Sequence, residues 1–357
     1  MDHELNVSDG EHKKGKTQLL DATLRDGSYA VNFQLNPSFV EDLVNEIDGC
    51  GLDFIEIGHG VGVEAERAGY TACNIDLPEW CRISNEQLTR TPWGVFAQPS
   101  FTRLSTLNWM CREGMDFVRI GMEAHKIEAN LAYLEAALSQ CSTVFLTLMK
   151  TSITPKSQLA EFVRNVPKEI AGIYVVDSCG TMLPSDVRDY IDILASDFGV
   201  VGFHGHDNIG LANANSLEAI AAGAQIVDGT LHGIGRGSGN AATEIIAGIL
   251  TKMELGEHDF CTLSKLADFC HSSMDIVQNE RLMQVMGGVI GVHSSLFPMI
   301  DQICSEYMLD ALELMKRASE MAMYELKEND LRSAALDMMH AKDYMKASIN
   351  KPTMVNK

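Results

Sequence analysis

Residues 17–27, TQLLDATLRDG, open as an apolar run and close on Arg25 and Asp26. A strand buried on both faces reads as a near-continuous apolar run, as the strands of a parallel sheet do. A doubly wound open sheet would follow its first strand with a glycine-rich phosphate loop of the form GxGxxG. Here TLRDG stands in that place. Working outward, similar runs recur as DFIEIG (53–58), GVFAQ (94–98), DFVRIG (116–121), TVFLTLM (143–149), GIYVVD (172–177), VVGFHGH (200–206) and QIVDGTL (225–231). Helical patterns such as PSFVEDLVNEIDGCG (37–51) and PSDVRDYIDILASDFG (184–199) lie between them, several ending on glycine, a helix stop signal. Eight strand–helix units over residues 17–255 predict a (β/α)₈ barrel of the usual size, about 250 residues. A polar segment, 1–16, precedes it. Residues 256–350 lose the strand rhythm and read as a helical extension.

Composition narrows the function classes. The 357 residues carry a formal net charge of -21, which argues against a nucleic-acid partner. No run of 18 apolar residues offers a membrane span, and the polar start has no apolar leader core. Nine scattered cysteines without a CxxC pair fit free thiols in a reducing compartment. The expectation is a cytoplasmic globular protein. Met283, Met286, Met299, Met308, Met315, Met321 and Met323 crowd the extension. They read either as adaptable core filler or as a surface docking a second subunit, giving a homo-oligomer.

In such barrels chemistry sits at the C-terminal ends of the strands. Polar residues gather there: Arg25 and Asp26, Glu56 followed by His59, Ser178, then His204 and His206. Side chains at i and i+2 on a strand share a face, so His204 and His206 can point at one spot, with Asp26 facing them across the mouth. Two imidazoles and a carboxylate suit an octahedral divalent ion with open positions, which the carboxylate and keto oxygens of a 2-oxo acid can fill. Arg25 is placed to stabilise charge developing on the former ketone oxygen. Glu56 reads equally as a partner orienting a ligand and as an interior salt bridge. The glycines at 233, 235, 237 and 239 allow three readings: a phosphate cradle, a tight turn capped by Asn240, or a loop delivering the Asn240 amide oxygen to the ion.

DATLRDG (21–27), HGHDNIGLANANSLEAIAAGA (204–224) and GIGRGSGNAATE (233–244) resemble the pyruvate-carboxyltransferase-like metallolyase (DRE-TIM) superfamily. GHG (58–60) and MGGVIGVHSSLF (286–297) are most similar to its 4-hydroxy-2-oxovalerate aldolase branch. The resemblance implies Mn²⁺, or Mg²⁺, Co²⁺ or Zn²⁺, on Asp26, His204 and His206. It implies Arg25 against a pyruvate enolate, Ser178 on the substrate carboxylate, and an aldehyde as the second reactant. It also implies C-terminal helices that dock an acylating aldehyde dehydrogenase.

The departures are specific. Tyr29 stands where that branch keeps a histidine base, and a free tyrosine titrates near 10 against about 6.5 for histidine. Val289 and His293 replace two tyrosines. The base role is therefore open among His59, His232, His293 and Tyr29 acting through water. GRGSG replaces the cysteine loop of hydroxymethylglutaryl-CoA lyase, which speaks against that cleavage. The expected reaction is aldol cleavage or formation of a 4-hydroxy-2-oxo acid. A Claisen-type synthase joining an acyl-CoA to a 2-oxo acid is the alternative. A non-catalytic partner barrel and a non-haem iron oxygenase rank below both.

Overall fold

The computed structural model describes residues 16–276, 281–322 and 326–349. The expected polar segment before Lys16, Met323 and the last eight residues lie outside these. Eight parallel strands close a barrel in sequence order: β1 Gln18–Asp21, β2 Phe54–Ile57, β3 Trp93–Ala97, β4 Phe117–Glu123, β5 Val144–Met149, β6 Gly172–Asp177, β7 Val201–Gly205 and β8 Ile226–Gly229, with β8 pairing back to β1. The helices around them are α1 Pro37–Ile47, α2 Leu77–Gln87, α3 Leu104–Arg112, α4 Ile127–Gln140, α5 Lys156–Phe162, α6 Pro184–Ala195, α7 Ala212–Ala221 and α8 Thr243–Lys252. The fold is the (β/α)₈ barrel expected from the apolar runs.

Proline at the first turn and an Asn36 or Asp76 side-chain cap start α1 and α2, where unpaired N–H groups need an acceptor. Each helix lays an apolar stripe, such as Phe39, Val40, Leu43, Val44 and Ile47 of α1, against the outer face of the sheet.

The interior is layered with the period of two that strands impose. At the N-terminal end Phe54, Phe117, Phe145 and Tyr174 meet edge to face, 5.3 to 6.0 Å between ring centres, and plug the barrel. Gly202 makes room for that plug, since a Cβ there would stand 2.5 Å from the Tyr174 ring. Two residues further along β2 and β4 the layer turns ionic with Glu56 and Arg119, which His204 of β7 and Asp228 of β8 join, all four buried.

After the barrel come α9 Phe260–Ser273, α10 Arg281–Ile290, α11 Phe297–Tyr307, α12 Ala311–Ser319 and α13 Glu328–Ile349. Helix α9 packs into the barrel's own hydrophobic core. The later helices form a separate core around Ile300, Ile303, Leu314 and Met315. Asn208, beyond β7, donates to the Gln284 carbonyl of α10 at 3.1 Å, which fixes this second unit over the C-terminal mouth of the barrel. No helix among the described residues is long and apolar enough to cross a membrane.

Candidate active site

The mouth of the barrel and the roof of α10–α11 enclose a cavity of about 890 Å³. Its floor holds Asp26, His204 and His206, whose candidate ligand atoms lie within 4.8 Å of one another. His204 comes from β7 itself. His206 follows the strand end, where it bridges to Asn240. Asp26 opens the 3-10 turn (Asp26–Val31) that follows β1, beyond the strand's end at Asp21. The turn, not the strand pleat, therefore aims this carboxylate.

Hydrogen bonds orient each of the three groups. Nδ1 of His204 lies 2.9 Å from Asp228 Oδ2, and Nδ1 of His206 lies 3.2 Å from the Gly239 carbonyl. Both partners accept, so each ring keeps its proton on Nδ1 and turns the Nε2 lone pair to the centre. Asn240 Nδ2 donates to Asp26 Oδ1 at 2.9 Å. Its own Oδ1 is buried without a hydrogen-bond partner among the described residues. A buried orphan acceptor is costly unless something binds it.

Arg25 Nη1 donates to Asp26 at 2.5 Å, and its Nε donates to Glu56 Oε2 at 2.6 Å. Glu56 also takes two hydrogen bonds from Arg119, at 2.7 and 2.5 Å. Arg119 reaches on to Asp228, and Asp228 to His204. The chain of charges thus leaves the centre at Asp26 and returns to it at His204. Burial raises the carboxyl of Glu56, but Arg119 and Arg25 overcome that and hold it at about 2. Burial likewise opposes ionisation of Asp26, yet Arg25 and then the two imidazoles keep it well below the usual carboxylate range. Burial depresses His206 to about 3, so its ring is neutral at physiological pH. Three carboxylates against two guanidiniums leave this circuit one negative charge, which a divalent cation overturns to one positive charge. On ligand types, orphan acceptor and charge, these residues fit a divalent ion with open positions.

The other expected residues divide. Arg25, Tyr29, Ser178 and His293 line the cavity. Ser178 Oγ accepts the backbone N–H of Lys150 at 2.8 Å. His59 stacks on Phe33 with ring centres 3.9 Å apart; Val61 N–H donates to its Nδ1, so its Nε2 proton goes to the Thr71 carbonyl. Neither nitrogen is open. His232 stacks on His271 and lines no part of the cavity. Val289 is 69% exposed on α10 and does not face the cavity either, so its exchange for tyrosine removes no contact there. Of the three glycine-loop readings, Asn240 beside Asp26 is the one with support from position. A Cβ on Gly235 would stand 2.0 Å from Asn240 Nδ2 and 2.8 Å from Asp26 Oδ1. Gly235→Ala is therefore expected to weaken divalent-ion binding by about 10- to 100-fold with the fold intact, as measured by metal titration alongside circular dichroism. Unchanged affinity would mean the Asn240–Asp26 contact does not shape the site.

Sequence reasoning missed Arg119, Asp228, Lys150 and Arg236. The first two show only as one charge each among the apolar residues of FVRIG (117–121) and QIVDGTL. Arg236 was hidden in the glycine run.

A closed (β/α)₈ barrel with two imidazoles and a carboxylate at its C-terminal mouth defines a metal-site lyase scaffold. The HMGL-like family profile matches residues 16–270. The chain belongs to that family and is a carbon–carbon lyase, and the family is divalent-metal dependent. It is 38% identical over 261 residues to an oxaloacetate decarboxylase of Mycobacterium tuberculosis, covering 72% of this chain and 76% of that one. It is 27% identical over 327 residues to 4-hydroxy-2-oxovalerate aldolase 6 of Rhodococcus jostii, covering 90% and 92%. The fold matches the HMG-CoA lyase of Bacillus subtilis with a TM-score of 0.57 at 19% identity, over 76% of this chain and 97% of that one.

Proposed function

We propose that the chain cleaves or forms the C3–C4 bond of a 4-hydroxy-2-oxo acid, giving pyruvate or a close relative and an aldehyde. Asp26, His204 and His206 would hold the divalent ion, with Mn²⁺ the first expectation. When bound, the ion supplies Lewis acidity toward the carboxylate and keto oxygens of the 2-oxo acid. The observation carrying this reading is the position of Arg25, fixed by Asp26 and Glu56 at the cavity wall. A guanidinium held there stabilises charge arising on the former ketone oxygen without reorganising. The Ser178 hydroxyl, tied to the Lys150 backbone, is available to the substrate carboxylate. In cleavage the C4 hydroxyl gives up its proton and forms the C4 carbonyl. The C3–C4 electron pair moves to C3 as the enolate, which then takes a proton.

That first proton needs an acceptor. Burial pushes the Tyr29 hydroxyl up to about 12, so it is protonated throughout the physiological range. His59 has no free lone pair, and His293 gives its own to Arg236. Water in the cavity is left as the carrier. Tyr29→Phe should accordingly leave the pH–rate profile between pH 6 and 9 unchanged in shape; loss of a rise in rate with pH in that window would make Tyr29 the base after all.

The same acceptor problem favours a second reading. Loss of carbon dioxide from C4 of oxaloacetate needs the ion and the enolate stabiliser but no base, and one relative carries that name. Both readings require pyruvate enolisation. The test is deuterium exchange into the pyruvate methyl group by the Mn²⁺-loaded chain, read by mass spectrometry. Exchange no faster than Mn²⁺ alone would sink both. Product formation from pyruvate with short aldehydes, set against decarboxylation of oxaloacetate, then separates them. Thiol release from acetyl-CoA with a 2-oxo acid would instead point to the Claisen-type synthase.

A further inference from the structure

Four of the five cations lining the cavity already have carboxylates. Arg25 meets Asp26 and Glu56, Arg119 meets Glu56 and Asp228, and Lys126 and Lys150 share Glu123. Arg236 is the exception. Among the described residues no carboxylate lies within ion-pair distance of it. Its guanidinium instead contacts neutral groups: Nη1 lies 2.7 Å from His293 Nε2, Nη2 lies 3.0 Å from His293 Nδ1, and the Tyr29 ring lies 5.4 Å from its central carbon. A guanidinium only donates, and its shorter contact is to Nε2, so Nε2 accepts from the arginine and Nδ1 carries the ring proton, with Ser295 Oγ 2.7 Å away to accept it. Burial first, and then Arg236 itself, hold His293 well below its ordinary value, so the ring supports the guanidinium as a neutral acceptor. The same residue's backbone N–H lies 3.3 Å from Asp26 Oδ1, which places Arg236 at the edge of the candidate metal centre.

A half-buried guanidinium held by neutral groups and facing a cavity lacks only an anion. Resting on the lyase reading above, we infer that Arg236, propped by His293, receives a second carboxylate on the substrate, carried by the half that leaves as the aldehyde. A guanidinium stabilises a carboxylate that persists in the product and penalises one that must depart as carbon dioxide. The carboxylate therefore lies beyond C4, and the substrate class is a 4-hydroxy-2-oxo dicarboxylate whose aldehyde product is itself an acid. A cavity of about 890 Å³ accommodates the longer chain.

Equilibrium binding to the Mn²⁺-loaded full chain tests this with ligands of equal length: 2-oxoglutarate against 2-oxopentanoate, and 2-oxoadipate against 2-oxohexanoate. At least one dicarboxylate should bind about 10- to 100-fold tighter than its partner, the range for a charge-assisted hydrogen bond. Arg236→Gln should bring that ratio close to one, and Arg236→Lys should keep part of it, with melting curves verifying that both variants fold. In synthesis, glyoxylate should outcompete acetaldehyde as the acceptor for pyruvate. A ratio near one in the unaltered protein, or a ratio that survives Arg236→Gln, overturns the inference. Failure of the lyase reading shows separately, as absent deuterium exchange into pyruvate.

Discussion

His204→Ala is expected to purify with less than a tenth of the divalent ion bound by the unaltered chain, as measured by elemental analysis, and to lose all but background lyase activity. Losing a partner that merely orients a ligand costs about 10- to 100-fold in metal affinity. Deleting one of three ligands removes a donor outright and costs more. Asp228→Asn, which leaves all three ligands but weakens the grip on His204 Nδ1, should fall within that smaller range. The order His204→Ala worse than Asp228→Asn is the informative result. If His204→Ala keeps its metal, Asp26, His204 and His206 are not the site, and the catalytic proposal falls with them.

Much of this arrangement was legible in the sequence for a physical reason. Parallel strands buried on both faces leave continuous apolar runs, and the two-residue period puts His204 and His206 on one face without knowledge of any other strand. What stayed hidden depends on pairing across the barrel. Arg119 is the one charge in FVRIG (117–121), and its partners Glu56 and Asp228 are 63 and 109 residues away in sequence. Nothing local says that these three meet. Glu56 could be read evenly as an orienting partner or an interior salt bridge because it is both: one carboxylate serves Arg25 above it and Arg119 beside it. Tyr29 and His293 were correctly placed on the cavity by motif position. Whether His293 holds a free lone pair depended on Arg236, which the surrounding glycines disguised as turn sequence. His232 and Val289 failed for a simpler reason: proximity along the chain to site residues did not bring them to the cavity wall.

Arg119→Met should destabilise the protein by about 3–5 kcal/mol, the cost of breaking a buried ion pair from one side. Arg119 and both its partners have no measurable exposure. Removing the guanidinium leaves Glu56 with only Arg25 and leaves Asp228 with only the His204 ring. Asp228 already has one oxygen without a hydrogen bond among the described residues, so it has no spare partner to recruit. The aromatic plug suffers too, because the Arg119 guanidinium lies 4.9 Å from the centre of the Tyr174 ring. For a chain of this size the melting temperature should drop by about 4–7 °C. A buried ion pair is not in itself evidence of net stability, since apolar replacements of equal volume often do as well. The sharper expectation is therefore the double variant. Arg119→Met with Glu56→Gln removes one of the two stranded charges and should regain part of the loss, while metal affinity stays impaired because Asp228 no longer has a fixed neighbour. A drop of less than about 1 kcal/mol for Arg119→Met would place these groups in contact with water and end the account of a sealed ionic layer beneath the metal centre.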